Sequence, residues 1–212
     1  MKVASIVFNP FLENTYVVSD DAGNCIIVDP GCYEKFEKDE LKAYISDQHL
    51  KPKAVINTHC HIDHVLGNAF AKDEWGIPLW VPKGEAEILR SMEVYAPSWG
   101  IMHFEPAAPD RLYVAEDKLN VLDLKMQFIY APGHSPGHMM LYFPDHGNLL
   151  GGDVIFRQSI GRTDLPGGSF ETLESSIKEK VYSLPDETII YPGHGDETTV
   201  GFERSHNPFV QG

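Results

Sequence analysis

Thr58-His59-Cys60-His61-Ile62-Asp63-His64 is the stretch on which the fold turns. It follows the short apolar run Lys53–Asn57, a predicted strand, and precedes a predicted helix over Val65–Trp75. Side chains two apart on an extended segment point the same way, so His59 and His61 can share one cation. Asp63 and His64 lie one step further into the turn and can reach a second cation beside it. Imidazole and carboxylate are ligand types that zinc accepts. Cys60 falls between two candidate ligands and alternates away from them. A shuffled chain would contain this H-x-H-x-D-H string only on the order of once in several hundred trials, so it is a specific signal.

Working outward, three later clusters place a ligand-capable side chain just after a predicted strand. They are Ala131-Pro132-Gly133-His134-Ser135-Pro136-Gly137-His138, Gly151-Gly152-Asp153, and Tyr191-Pro192-Gly193-His194-Gly195. Their glycines allow the sharp turns that bring backbone close to a metal. Each is weak alone, and together with the first cluster they are strong. His138 follows His134 by four and reads as a residue that orients a ligand or packs. His49, His103, His146 and His206 read as solvated or packed histidines.

The surrounding chain alternates strands and helices. Strands are predicted at Lys2–Phe8, Thr15–Ser19, Cys25–Asp29, Leu79–Val81, Leu119–Val121, Lys125–Tyr130, Met139–Phe143, Asn148–Leu150 and Thr188–Tyr191, with Asp29-Pro30-Gly31 stopping the third. Helices are predicted at Glu34–Gln48 and Glu85–Tyr95. Another starts near the N-cap Ser169, with Leu173, Ile177 and Val181 as its apolar face and a Glu174–Lys178 surface pair. Residues 96–110 carry three prolines and no period, and read as a long loop. The aromatics of this region, Trp99, Phe104 and Tyr113, read as packing. This order suggests an α/β layered sandwich in one domain.

Composition narrows the function classes. Seventeen basic against 31 acidic side chains give a formal charge of −14, and an acidic surface repels a phosphate backbone, so no nucleic-acid partner is expected. Bound divalent ions would reverse that sign locally. The three cysteines, Cys25, Cys32 and Cys60, are too few for a disulfide framework and fit a reducing compartment. The N-terminus reads as a strand rather than an export signal, and no run approaches the roughly 18 apolar residues that span a bilayer. The expectation is a cytoplasmic protein with no membrane partner.

In motif identity, order and spacing, residues 3–195 resemble the metallo-β-lactamase superfamily. The resemblance implies a four-layer αββα sandwich and a binuclear site. In that correspondence His59, His61 and His134 match the first metal site, Asp63, His64 and His194 the second, and Asp153 the carboxylate that bridges both. Two divalent ions are implied, zinc foremost, with iron or manganese also suited to mixed N/O ligands. True β-lactamases lack the bridging aspartate, and flavodiiron proteins carry glutamate in place of His61. Nuclease members carry large accessory regions.

What remains is similar to the glyoxalase II-like thioester hydrolases, including Ser159-Ile160-Gly161-Arg162-Thr163-Asp164-Leu165-Pro166-Gly167-Gly168. The sequence reads as a single domain over residues 1–212, lacking the helical C-terminal domain of authentic glyoxalase II. The implied activity is attack of a metal-bridging hydroxide, aimed by Asp63, on a small thioester, in a protein whose oligomeric state the sequence leaves open. Arg162 could hold a substrate carboxylate or pair with Asp164. Two rival readings stand beside this one. The persulfide dioxygenases share H-C-H-x-D-H and G-R-T-D but use one iron and O₂, and a non-catalytic metal-binding protein is the weaker alternative.

Overall fold

The computed structural model describes residues 1–212. The backbone divides into two compact units, one comprising Met1–Tyr113 and Leu119–Leu124, the other Val114–Lys118 and Lys125–Gly212. No helix is long and apolar enough to cross a membrane.

The first unit is built on a six-stranded sheet: β1 (Lys2–Phe8), β2 (Glu13–Ser19), β3 (Asn24–Val28), β4 (Lys51–Ile56), β5 (Leu79–Pro82) and β6 (Arg111–Tyr113), in that spatial order. The first three pair antiparallel, and β3 to β6 pair parallel. Parallel strands are covered on both faces, which is why Ile26-Ile27-Val28 and Ala54-Val55-Ile56 are unbroken apolar runs, all fully buried. Helices α1 (Lys35–Asp47), α2 (Asn68–Trp75) and α3 (Ala86–Tyr95) connect the strands. Leu41 and Ile45 of α1 and Leu89 and Met92 of α3 join the core with Val55, Leu79 and Val81. Glu37 fastens the start of α1, accepting the Glu34 N–H at 2.8 Å and that of Tyr33 at 2.7 Å.

The second unit carries a five-stranded sheet ordered β13-β12-β9-β8-β7, from β7 (Gln127–Tyr130), β8 (Met139–Phe143), β9 (Asn148–Gly152), β12 (Ile189–Pro192) and β13 (Thr198–Thr199). Within it β9 and β12 are the parallel pair. A small hairpin, β10 (Ile155–Phe156) and β11 (Ser159–Ile160), follows β9. Helix α4 (Phe170–Ser176) begins at Ser169, whose hydroxyl accepts the Thr172 N–H, and continues as a π-helical turn over Ile177–Val181. Leu173, Ile177 and Val181 are its buried stripe, as expected, and Lys178 meets Glu174 at 2.8 Å. Helix α5 (Val200–His206) closes the unit.

Three local expectations change. Leu119–Val121 is not a strand: Leu119 is buried, but the segment finds no partner strand, and Asp123 N–H instead donates to Asp20 at 3.0 Å. The long loop opens with a short 3₁₀ turn over Ala96–Trp99 and is followed by β6, which alternation could not reveal because Arg111 and Leu112 are both exposed. The helix expected from Val65 starts at Asn68, after residues bound by the preceding turn.

Candidate metal centre

In the first unit the decisive stretch leaves the carboxyl end of β4, beside the carboxyl end of the parallel strand β3. Side chains at such edges project past the sheet, where α/β proteins bind ligands. Asp29 caps β3 in a left-handed conformation (φ 49°), which aspartate tolerates better than most residues. Its carboxylate organises the loop. Oδ1 accepts Thr58 N–H at 2.6 Å, and Oδ2 accepts the Thr58 hydroxyl at 2.6 Å and the Nδ1 proton of His64 at 3.1 Å. The Thr58 oxygen in turn lies 3.0 Å from Nδ1 of His59. With Nδ1 of both imidazoles engaged, Nε2 is the nitrogen each would offer to a metal.

Other groups hold the loop from outside. Glu85 Oε2 accepts Cys60 N–H at 3.0 Å, between the two histidines, and Asn57 Nδ2 donates to the His64 carbonyl at 3.1 Å. Asn9 Nδ2 donates to the carbonyls of Asp63 and Gly31, each at 3.0 Å. Cys60 points into the core as alternation predicts, and burial pushes its thiol pKa well up. Burial likewise pushes up the carboxyl of Glu13, whose Oε2 contacts the Thr15 hydroxyl at 2.9 Å. The donor atoms of Asp29, His59 and His64 lie within 4.8 Å of one another. We nevertheless read Asp29 as support rather than ligand, since three hydrogen bonds already occupy its oxygens.

In the second unit Asp153 and His194 follow the parallel strands β9 and β12, and His134 follows β7. The Nδ1 proton of His134 goes to the Arg162 carbonyl at 2.8 Å, so Nε2 is again the nitrogen it would offer to a metal. Asp153 Oδ2 lies 3.5 Å from His134 Nε2 and 3.6 Å from His194 Nε2. His138 is buried and its Nε2 accepts the Asp153 N–H at 3.1 Å, so it positions the aspartate through the backbone. Gly161 is required by proximity: a Cβ there would stand 1.9 Å from the Asp153 carbonyl oxygen and 2.9 Å from His134 Nδ1. Arg162 is engaged by both oxygens of Asp164, at 2.7 and 2.8 Å. This contact holds the Asp164 carboxyl down to about 2.

The donor spacing can be compared with what a metal needs. Two ligands bound at about 2.1 Å in a tetrahedron stand about 3.4 Å apart. Within the first unit His64 Nε2 and Asp63 Oδ2 are 3.5 Å apart. The Asp153 separations to His134 and His194 agree with the same value. All three exceed the normal 2.7–3.2 Å range of N–H···O bonds, so these groups face each other at ligand spacing rather than in short hydrogen bonds. The residues fit divalent ions.

The profile of the metallo-beta-lactamase superfamily matches residues 8–194. The chain belongs to that family. Among its relatives are the "Probable metallo-hydrolase YqgX" of Bacillus subtilis, 36% identical over 100% of this chain and 99% of that one. The hydroxyacylglutathione hydrolase GloC of Haemophilus influenzae is 34% identical over 99% of this chain and 98% of its own length. Two solved structures are similar throughout. The BLEG-1 B3 metallo-beta-lactamase has a TM-score of 0.89 at 33% identity, covering 100% of both chains. TTHA1623 in a di-iron-bound form has a TM-score of 0.88 at 34% identity, covering 98% of this chain and 100% of its own. The expected α/β class and the metallo-β-lactamase fold are thus established. Family membership, with the His/Asp donors, implies a metal-dependent hydrolase using divalent ions.

Asp29, Thr58 and Glu85 are the residues that the sequence did not expose as functional. Asp29-Pro30-Gly31 looked like a strand stop. The only signal was an acidic residue directly after a buried parallel strand that runs beside the histidine strand.

Proposed function

We propose that the chain is a binuclear hydrolase of small thioesters. His59, His61, Asp63 and His64 from the first unit and His134, Asp153 and His194 from the second serve as its ligands. The observation that carries this reading is the tetrahedral spacing of the donor pairs inside each unit, with Nδ1 of His59, His64 and His134 already committed to other partners. Residues 1–212 act in this reading as one catalytic domain, and the three buried, unbridged cysteines accord with the cytoplasm.

Divalent ions at such a site polarise a carbonyl and lower the pKa of water from 15.7 to about 7. Zinc is the first choice, and the di-iron form of TTHA1623 makes iron the competitor. The chain's own residues do the rest. Asp63 accepts a hydrogen bond from the attacking water and aims it, while Asp29 and His138 keep the ligands in register. A thiolate leaves without a proton, so the absence of an evident general acid in the sequence is no obstacle to thioester cleavage. A β-lactam nitrogen leaves less readily, yet the likeness to BLEG-1 makes β-lactam hydrolysis the second reading.

The test gives metal-loaded protein S-lactoylglutathione, unrelated acyl thioesters, nitrocefin, and glutathione persulfide with oxygen uptake followed. Metal content is measured alongside. Thiol release with two ions per chain is expected. Oxygen uptake without thioester cleavage, with a single iron, would replace this reading by persulfide oxidation, and nitrocefin turnover alone would replace it by the second reading.

A further inference from the structure

Beside His194 the second unit has a cavity of about 350 Å³ lined by Phe156, Arg157, His194, Gly195 and Asp196. Phe156 forms one wall, meeting the His194 ring edge-on with centroids 6.0 Å apart. Arg157 stands at the turn of the β10–β11 hairpin, exposed, its guanidinium 5.8 Å from the centre of the Phe202 ring. The turn itself is fixed. Gln158 adopts φ 56°, and its N–H donates to the buried Glu203 carboxylate at 3.0 Å. Arg157 therefore projects from an anchored base.

Two charges of opposite sign line this cavity without an ion pair to each other or to any other charged group. Arg157 makes no ion pair, only the contact over Phe202, and Asp196 makes no hydrogen bond or ion pair. Elsewhere in the unit exposed charges do pair, as Arg162 does with Asp164 and Arg204 with Asp186. A guanidinium presents parallel N–H groups suited to a carboxylate. A nearby carboxylate suits an ammonium and discourages a purely anionic ligand.

We propose that this cavity receives the zwitterionic, α-amino-acid end of the substrate's thiol carrier, its carboxylate on Arg157 and its ammonium on Asp196. The inference rests on the thioester-hydrolase reading, because His194 lines the cavity and belongs to the proposed metal ligands. Binding of this remote end holds the thioester near the ligands without taking part in bond breaking, so its loss appears in KM rather than in kcat.

The experiment compares three thioesters: S-acetylglutathione, the same compound with its amino group acetylated, and S-acetyl-N-acetylcysteamine, which carries no charge. The Arg157→Gln variant should raise KM for S-acetylglutathione about tenfold more than for the uncharged thioester, the loss expected for one charged hydrogen bond at an exposed site. Arg157→Lys should recover part of that difference. Asp196→Asn should raise KM for S-acetylglutathione more than for its N-acetylated form. Equal effects on all three substrates, or none, would overturn the subsite. Calorimetric binding of S-methylglutathione, which cannot be hydrolysed, separates the two readings. If no thioester is cleaved but binding weakens in Arg157→Gln, the subsite stands and the hydrolase reading falls. If thioesters are cleaved and all variants match the parent, the subsite falls alone.

Discussion

Oδ2 of Asp29 takes the Nδ1 proton of His64 at 3.1 Å, and the same oxygen takes the Thr58 hydroxyl that sits against His59. One carboxylate thus sets two imidazoles. Asp29→Asn keeps the shape but replaces an acceptor by a donor at one oxygen, so His64 or Thr58 loses its partner. Metal affinity should drop about 10–100-fold, the usual cost of losing an outer-layer partner. Chelator competition measures it, and unchanged affinity would show that Asp29 is only a strand cap.

Asp63 and His138 should behave very differently. Asp63 faces His64 at ligand spacing, whereas His138 holds Asp153 by its backbone N–H. Asp63→Ala should nearly abolish thioester turnover, while His138→Ala should lose about 10–100-fold. Equal turnover and metal content in the two variants would refute that division.

Gly161→Ala should disrupt the second unit's donors without replacing any of them. The added methyl meets the Asp153 carbonyl at 1.9 Å and cannot be accommodated by a flexible side chain. Overpacking of this kind costs about 1–3 kcal/mol. Thermal unfolding should show that loss, and metal titration should show weakened binding.

The Arg162–Asp164 contact gives a pH signature. The Asp164 carboxyl is held at about 2 against an ordinary 3.8, chiefly by the Arg162 guanidinium. A depressed acid favours the folded form above its unfolded value, and that contribution disappears as pH falls through the folded one. The clamp is therefore complete at neutral pH and fails between about pH 4 and pH 2. Carboxyl-carbon NMR should give a midpoint near 2 that moves toward 3.8 in Arg162→Gln. A midpoint of 3.8 in the parent protein would mean the pair is open in solution.

The thiols offer an independent check on packing. Burial pushes Cys25 and Cys32 up to about 12 and Cys60 well above its ordinary value. Only the thiolate reacts with a disulfide reagent. At pH 8 the native protein should titrate no thiols, and the denatured protein all three.

Much of the site was legible because its chemistry is local. His59 to His64 lie within one turn of chain, and the later candidate ligands stand at strand ends marked by glycine. The α4 stripe was equally plain, since Leu173, Ile177 and Val181 repeat every four residues. Asp29 escaped because its role depends on β3 lying parallel beside β4, a relation between segments that neither carries alone. Leu119–Val121 misled for the same reason: a β-like trio becomes a strand only where an edge is available to it.

In the first sheet every strand lies beside its immediate predecessor in the chain. Pairings between successive segments form quickly, because little entropy is lost in closing short connections. During synthesis, β3 and β4 can therefore pair, and Asp29 can take hold of Thr58 and His64, while the codons for Asp153 and His194 are still unread. In the second sheet β9 pairs with β8 at once, but its other edge must wait for β12, beyond α4. The proposed ligands of the first unit can thus be in order before those of the second have been made.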